Sequence, residues 1–275
     1  MTYILLLMYA SCKKKELKML QEIKFDFFKV FKSKSIIITI IATSLFLCVN
    51  PIFLHLIQKC EMSAFRVYVG DSTPLLCVTV FSILFCGLDF EKGFIKNIYT
   101  STNKLGYVLS KALIIFLYSL YVSIFLMVVN IVVTYTGGIK HIIQPLGKYT
   151  GDSFNVGDVI SFTLIRLLGL TAVGLLVTLL SILFKPIVVS IITLTWFFTC
   201  NMIYMFLDGI FVTIKGAGSI GNYTLFGNLH SGYITGVSVT GYTIPDFAVL
   251  TLIAYLFYAV VFFLLSWLAL SKKNF

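Results

Sequence analysis

The side chains that most often carry covalent chemistry are too few in this 275-residue sequence to build a catalytic set. Its three histidines are His55, His141 and His230, and all three fall toward the outer side of the topology that charge predicts. No Ser/His/Asp or Cys/His nucleophilic set, and no His/Glu metal cluster, can be assembled from them. The chain also lacks a G-x-x-x-x-G-K-S/T phosphate loop for ATP. The sequence therefore predicts no catalytic residue, no metal site and no cofactor in this chain.

Three polar residues lie inside apolar stretches, where a functional role is the default hypothesis. Arg166 follows Asp158 by eight residues, which places it about 12 Å along a helix and near the middle of a bilayer. It is a candidate for a substrate path; pairing with a lipid headgroup and holding a neighbouring span through backbone carbonyls are the alternatives. Asn130 and Asn201 are candidates for the same path, although hydrogen bonds between helices are the expected role. No acidic residue falls deep in an apolar stretch, which disfavours proton coupling.

A glycine pattern and the cysteines could also suggest function, but neither has the sequence context that a functional site needs. Residues 216–221 match G-x-G-x-x-G, but they follow an apolar stretch and lack a βαβ unit. The six cysteines form no C-x-x-C pair, and four of them lie in apolar stretches. We expect the first to be a chance match and the cysteines to act as small buried apolar residues.

A short segment that mixes charged, aromatic and glycine residues follows the second apolar stretch. The apolar residues among positions 94–99 share one arc of a helix, while Lys92 and Lys96 point elsewhere. Such a surface can bury its apolar arc and present polar groups to a partner. We therefore predict a docking surface with Gly93 as a local hinge. Its candidate residues are Asp89, Phe90, Glu91, Gly93, Ile95, Lys96 and Asn97.

The elements that must position these residues follow from the hydropathy. Hydrophobic residues make up 59% of the chain, charged residues make up 12%, and the mean hydropathy is +1.00. The apolar stretches of about 18 to 25 residues are long enough to cross a hydrocarbon layer of roughly 30 Å as helices. This pattern excludes a soluble enzyme and a transmembrane β-barrel. The predicted fold class is an all-α polytopic membrane protein whose membrane domain, residues 35–270, contains six spans: 35–57, 74–88, 111–135, 158–184, 187–207 and 247–270.

The distribution of basic residues predicts the orientation of these spans. Of the 21 lysines and arginines, fifteen lie on the side that holds both termini, five lie on the other side, and Arg166 lies within a span. Basic residues are retained on the cytoplasmic face, so both termini, including the tail at 271–275, are predicted to be cytoplasmic. The net charge of +10 is thereby explained by topology, and nothing in it points to nucleic acid.

The first 34 residues divide into two parts. Residues 1–18 are interpreted as an N-terminal extension with a mis-assigned start, because Lys15-Glu16 can be encoded by AAGGAG, a bacterial ribosome-binding sequence, ahead of Met19. N-terminal sequencing of the native protein tests this. Residues 19–34 are predicted to form a cytoplasmic amphipathic elbow helix along the inner leaflet, with a solvated extension of span one as the alternative. Its apolar side holds Leu20, Ile23, Phe27, Val30 and Phe31, and its polar side holds Gln21, Glu22, Asp26, Lys29 and Lys32.

The segment at 89–97 and a later Ser-Lys pair resemble a motif of ABC-2 type permeases, especially those of bacitracin resistance and lantibiotic self-immunity. That motif is an acidic-aromatic-x-x-Gly-Thr-Ile-Lys-Asn stretch followed by Ser-Lys. Phe94 stands where threonine is usual, and Asn103-Lys104 stands where a Ser-Arg pair is common. Elsewhere the resemblance is one of feature order: elbow, six spans, and a long outer loop at 208–246. The matching residues are Asp89, Phe90, Gly93, Ile95, Lys96, Asn97, Ser110 and Lys111.

This resemblance implies an ABC-2 permease fold and the membrane subunit of an ATP-driven exporter, not an enzyme. The segment at 89–97 would be the coupling helix seated on a separate ATP-binding subunit, which carries ATP and Mg²⁺. The chain would form a homodimer, or a heterodimer with a related permease, in a bacterial cell membrane. Its cargo would be an antimicrobial peptide, lantibiotic or similar amphipathic compound, giving immunity or resistance. The alternatives are a passive membrane immunity or scaffold protein, and an ABC-2 permease for a drug or lipid.

Overall fold

The structure is a computed structural model, and the residues of the chain that it describes are almost entirely helical. They comprise 20–53, 68, 72–91, 104–136, 156–196, 199 and 244–272. The helices are α1 (residues 20–32), α2 (Lys34–Ile52), α3 (Thr73–Glu91), α4 (Lys104–Thr136), α5 (Val156–Leu183), α6 (Pro186–Trp196) and α7 (Ile244–Lys272). The prediction of an all-helical protein is confirmed for this part of the chain.

Within the described part of the chain, four helices are long and apolar enough to cross a membrane. They are α2, α4, the part of α5 at Phe162–Leu183 and the part of α7 at Thr251–Lys272. The apolar segment Thr73–Gly87 of α3 and the whole of α6 are shorter. The first coincides with the second predicted span, and α6 covers the first half of the fifth. Most residues of the fifth predicted span beyond α6 lie outside the described residues. The chain is therefore a polytopic helical membrane protein, and the number six stays a prediction.

Helix α5 is the centre of the bundle. Of its membrane-crossing segment 78% is buried, against 11% for α7, and it packs on α3, α4 and α7. Gly174 allows this close approach, because a Cβ there would lie 2.3 Å from Cγ2 of Ile115 on α4 and 3.0 Å from the Ser82 hydroxyl on α3. In a membrane the hydrophobic effect does not drive helices together, so their association depends on close packing. Small residues such as glycine permit that packing.

Polar side chains fasten α2 to α4. The Thr43 and Tyr118 hydroxyl oxygens are 2.6 Å apart, and those of Ser44 and Tyr121 are 2.7 Å apart. The ring of Tyr118 also stacks on Phe81 of α3, with the centroids separated by 3.8 Å. Hydrogen bonds between helices thus accompany the apolar packing of α2.

A single extended residue separates α1 from α2. Ser33 has φ −77° and ψ 113°, which interrupts the helical run. Its amide still donates to the carbonyl of Lys29 at 2.9 Å, and its own carbonyl accepts from the amide of Ile37 at 3.0 Å. Helix α1 occupies the segment for which the elbow helix is predicted.

Candidate functional site

Two lysines and two aspartates from three helices meet at one end of the bundle. Helix α1 contributes Asp26 and Lys29, α3 contributes Asp89, and α4 contributes Lys111. The ammonium of Lys111 lies 2.8 Å from Oδ1 of Asp26 and 2.6 Å from Oδ2 of Asp89. The ammonium of Lys29 pairs with Oδ1 of Asp89. We call these four residues the charged cluster; with all four ionised, their formal charges cancel.

The charged cluster is shielded from solvent. The side chain of Lys111 is 0% exposed, the two carboxylates are 5% and 6% exposed, and Lys29 is 14% exposed. The ring of Phe85 lies 4.1 Å from the Lys111 ammonium and 4.8 Å from that of Lys29, and the Phe85 carbonyl accepts a 2.8 Å hydrogen bond from Lys29. Because an unpaired ion costs several kcal/mol in such surroundings, each charge here needs its partner.

Two hydroxyl groups complete the hydrogen bonding of the carboxylates. Ser110 donates to Oδ2 of Asp26 at 2.5 Å, and Tyr107 donates to Oδ2 of Asp89 at 3.1 Å. Both donors belong to the first two turns of α4. The carboxylates are therefore satisfied by neutral donors as well as by the lysines, which is the condition for a stable buried ion pair.

The electrostatics of the cluster differ between its members. Burial favours the neutral form of Asp89, which lies beyond the apolar segment of α3, yet Lys111 and Lys29 outweigh this effect and hold its pKa below the usual value. Burial, together with the positive charge of Lys111, lowers the pKa of Lys29 despite the nearby carboxylates. The partners of Asp89 therefore favour its charged form, whereas the surroundings of Lys29 favour its neutral form.

The cluster joins the three helices around one connection of the chain. Residues 92–103, which lie outside the described residues, link the end of α3 to the start of α4. Asp89 is near the end of α3, and Lys111 is two turns into α4. Both sides of this connection are therefore bonded to α1 through the same set of charges. The ion pairs therefore hold the three helices together at this end of the bundle.

The predicted docking residues fall on both sides of the boundary of the described chain. Helix α3 runs through Glu91, so Asp89, Phe90 and Glu91 continue that helix. The Asp89 side chain points into the bundle and joins the charged cluster. Gly93, Ile95, Lys96 and Asn97 lie outside the described residues, and docking stays a prediction.

Arg166, the first candidate for a substrate path, is buried and occupied by contacts. It is 3% exposed, and Nη1 donates to the carbonyl of Tyr68 at 2.5 Å. The guanidinium lies 4.7 Å from the ring of Tyr68 and 5.6 Å from that of Phe162. This geometry matches the interpretation in which the arginine holds a neighbouring segment through a backbone carbonyl. Its role in a substrate path stays a prediction.

Asn130 is fully buried but does not make the hydrogen bond between helices that the sequence suggests. Its Nδ2 donates to the carbonyl of Leu126 in the same helix at 2.9 Å, and its Oδ1 has no hydrogen-bond partner among the described residues. Asn201 lies outside the described residues. None of the described contacts links Arg166 or Asn130 to the charged cluster.

The polar side of α1 is where sequence reasoning missed the site. Asp26 and Lys29 were expected on the side of an interfacial helix away from its apolar face, but they face α3 and α4. Lys111 stood at the predicted start of span three, whereas α4 begins at Lys104 and buries it. The sequence does hold a signal for this site. Glu22, Asp26 and Lys29 lie on one side of α1 and carry both signs of charge, which is the pattern expected of a side that forms ion pairs with other helices.

Metal-binding and disulfide chemistry find no support in the described part of the chain. No group of three His, Cys, Asp or Glu side chains is placed there to hold a metal ion. Cys77 and Cys86 form no disulfide within the described residues and are buried in the apolar core, so the expectation that cysteines act as buried apolar residues is confirmed for these two.

Compared with known proteins, the chain matches no family model and no curated sequence. The class that the fold defines is therefore that of a polytopic helical membrane protein with a buried charged cluster at one end of its bundle.

Proposed function

We propose that the chain is the membrane-spanning permease subunit of an ATP-driven exporter of the ABC-2 type. ATP and Mg²⁺ belong to a separate ATP-binding subunit. The charged cluster is the observation that carries this proposal, because it ties α1 to both helices that flank the segment carrying the permease-like motif. A transporter driven from outside its membrane domain needs such a connection between the docking segment and the bundle.

The physical argument is that the three helices resist separation. Pulling α3 or α4 away from α1 would leave Asp26, Asp89 or Lys111 buried without its partner, which costs several kcal/mol. A partner that pushes on residues 89–97 would therefore move α1, α3 and α4 together. A rigid movement of this kind can switch a helix bundle between inward-open and outward-open states.

The cargo and the setting rest on the motif resemblance. We propose an antimicrobial peptide, lantibiotic or similar amphipathic compound, removed from the plasma membrane of a bacterium for immunity or resistance. The permease would act as a homodimer or as a heterodimer with a related chain, with both termini in the cytoplasm. The basic residues that predict this orientation surround the motif segment and would serve an acidic partner surface.

The test combines a partner assay with a protection assay. The tagged chain is purified from membranes of its native host and examined for an ATP-binding protein that co-purifies. Growth of the host in graded concentrations of a lantibiotic and of bacitracin is then compared for the wild type, Lys96→Ala and a gene deletion. We expect co-purification, and we expect Lys96→Ala to lower protection to the level of the deletion.

Lys185→Ala is the matched control, because this exposed lysine also lies on the predicted cytoplasmic side but outside the motif. It should leave protection unchanged, and membrane levels of all variants should be equal. Protection that persists without any ATP-binding subunit and is insensitive to Lys96→Ala would support the passive immunity protein instead. Protection against neither peptide, with normal ATPase association, would point to a drug or lipid cargo.

A further inference from the structure

Helix α1 turns a strongly aromatic side away from the bundle. Phe31 is 72% exposed and Leu20 is 59% exposed, and three further phenylalanines of the helix are also exposed, namely Phe25, Phe27 and Phe28. These residues occupy an arc of roughly 160° when successive residues are placed 100° apart. We call this arc the outward face of α1. An apolar face of this size requires a covering.

The acidic residues of α1 are absent from its outward face. Glu22 and Asp26 are the only acidic residues between positions 20 and 34. The carboxylate of Asp26 is bound in the charged cluster, and both carboxylate oxygens of Glu22 are buried. The inward side of the helix therefore takes up all of its negative charge.

The basic residues on the outward side are left without negative neighbours on the same helix. Lys24 and Lys32 of α1 are exposed, as is Lys34 at the start of α2. The ammonium of Lys32 lies 4.4 Å from the ring of Phe28, so cation and aromatic ring form one surface. Counted over all its residues, α1 carries little net charge, but its outward face carries only positive charge.

The position of this face identifies its covering. One residue after α1 the chain enters α2, whose outward residues Ile37, Ile38 and Ile41 are also exposed. The outward face thus lies one residue along the chain from a candidate membrane span whose own exposed residues are apolar. Aromatic rings beside lysines, at the end of such a span, are typical of a helix at the level of the lipid headgroups.

We infer that the outward face of α1 binds anionic phospholipid headgroups of the adjoining leaflet, with Lys24 and Lys32 contacting the phosphates and the phenylalanines inserted among the acyl chains. Charge complementarity selects anionic over zwitterionic lipid, since each basic residue near such a surface strengthens binding by roughly fivefold at most. This lipid site does not depend on transport and would be present in a passive membrane protein as well.

The experiment places a fluorescent reporter in the site. Phe28→Trp is introduced into the full chain, with Trp196→Phe and Trp267→Phe removing the native tryptophans. The protein is reconstituted into phosphatidylcholine bilayers that contain an increasing fraction of brominated phosphatidylglycerol or brominated phosphatidylcholine. Bromine quenches only nearby tryptophan, so the ratio of the two quenching curves gives the lipid preference at α1. We expect a preference of roughly threefold for phosphatidylglycerol at low salt.

Two variants make the result specific. Lys24→Gln with Lys32→Gln should reduce the preference to near one, as should 0.5 M salt, which screens exposed charges. The matched control is a reporter at Phe257→Trp on α7, which is 64% exposed and distant in sequence from any lysine, and which should show no preference.

Each other outcome overturns the inference. Equal quenching by the two lipids at α1 would mean that the face has no headgroup selectivity. A preference that survives Lys24→Gln with Lys32→Gln would assign it to other residues. A reporter quenched by neither lipid would show that protein, such as a second copy of the chain, covers this face. Because both lysines are exposed, loss of folding is not expected, and gel filtration checks it.

Discussion

Replacement of Lys111 by methionine should destabilise the bundle more than the loss of any exposed charge. Methionine keeps most of the length and apolar volume of the side chain but removes the ammonium that lies between Asp26 and Asp89. Asp89 then keeps Lys29, whereas Asp26 keeps, among the described residues, only the hydroxyl of Ser110. The variant therefore strands one buried carboxylate.

The expected magnitude follows from this loss. Removing one partner of a buried, hydrogen-bonded ion pair costs roughly 3–5 kcal/mol, because the other charge stays buried without compensation. The two pairs share one ammonium, so their losses are not additive, and we expect a total in this range. For a domain of roughly 150–250 residues each kcal/mol lowers Tm by about 2–4 °C, so the expected drop is roughly 6–20 °C.

The assay is thermal unfolding of the purified, full-length protein in one detergent, followed by the loss of the monodisperse gel-filtration peak after heating. Lys104→Met is the matched control on the same helix. The Lys104 ammonium makes an exposed hydrogen bond, 3.1 Å long, to the carbonyl of Ser271. An exposed interaction contributes little, so this control should stay within about 0.5 kcal/mol of the wild type.

A second substitution tests whether the charge is the cause. In Lys111→Met with Asp26→Asn, the stranded carboxylate becomes a neutral amide that still accepts a hydrogen bond from Ser110. We expect this double variant to be more stable than Lys111→Met alone, although it carries one more change. The reasoning is refuted if Lys111→Met melts like Lys104→Met, or if Asp26→Asn lowers stability further in the Lys111→Met background.

Three further predictions concern other contacts. Burial opposes it, but the two ammonium groups lower the pKa of Asp89. The stability that the charged Asp89 contributes is therefore present above the ordinary carboxyl pKa and is lost as the pH falls below about 4. The Tm difference between the wild type and Asp89→Asn should shrink below that pH and stay constant from about pH 5 to 7. Gly174→Ala should cost roughly 1–3 kcal/mol, because the added Cβ meets Ile115 at 2.3 Å, and an unchanged Tm would contradict this close packing. Tyr118→Phe keeps the ring stacking but loses the 2.6 Å hydrogen bond to Thr43, so it should cost about 0.5–1.5 kcal/mol, and Thr43→Val added to it should change little more.

Helix positions were largely predictable from hydropathy. The apolar stretch predicted at 35–57 contains most of α2, and the stretch predicted at 158–184 coincides with most of α5. The interior of a bilayer offers no water to bond backbone amides, so a single spanning segment must satisfy them within itself. The α-helix is the regular conformation that does this, and a long apolar stretch therefore predicts a helix. The ends were less predictable, since α4 begins at Lys104 and not at the predicted position 111. Hydropathy marks where apolar residues stop, but a helix continues through polar residues that find partners.

The central position of α5 in the bundle could not be predicted from the sequence either. Helices α5 and α7 are similarly apolar, yet one is mostly buried and the other mostly faces outward. Gly174 is the local feature that permits close packing of α5, but a glycine in an apolar helix identifies neither its neighbours nor the helix they belong to. Packing between membrane helices depends on surface shape, which composition does not encode.

The sequence by itself determined the membrane class, the approximate positions of the apolar helices and the amphipathic character of α1. These properties are local, because they depend on the length of an apolar stretch or on the spacing of residues within one helix. Only the tertiary structure decided that Asp26 and Lys29 face inward. Their partners Lys111 and Asp89 lie 85 and 60 positions away in the chain. A buried charge is stable only beside an opposite charge, and the fold alone decides which distant residue provides it.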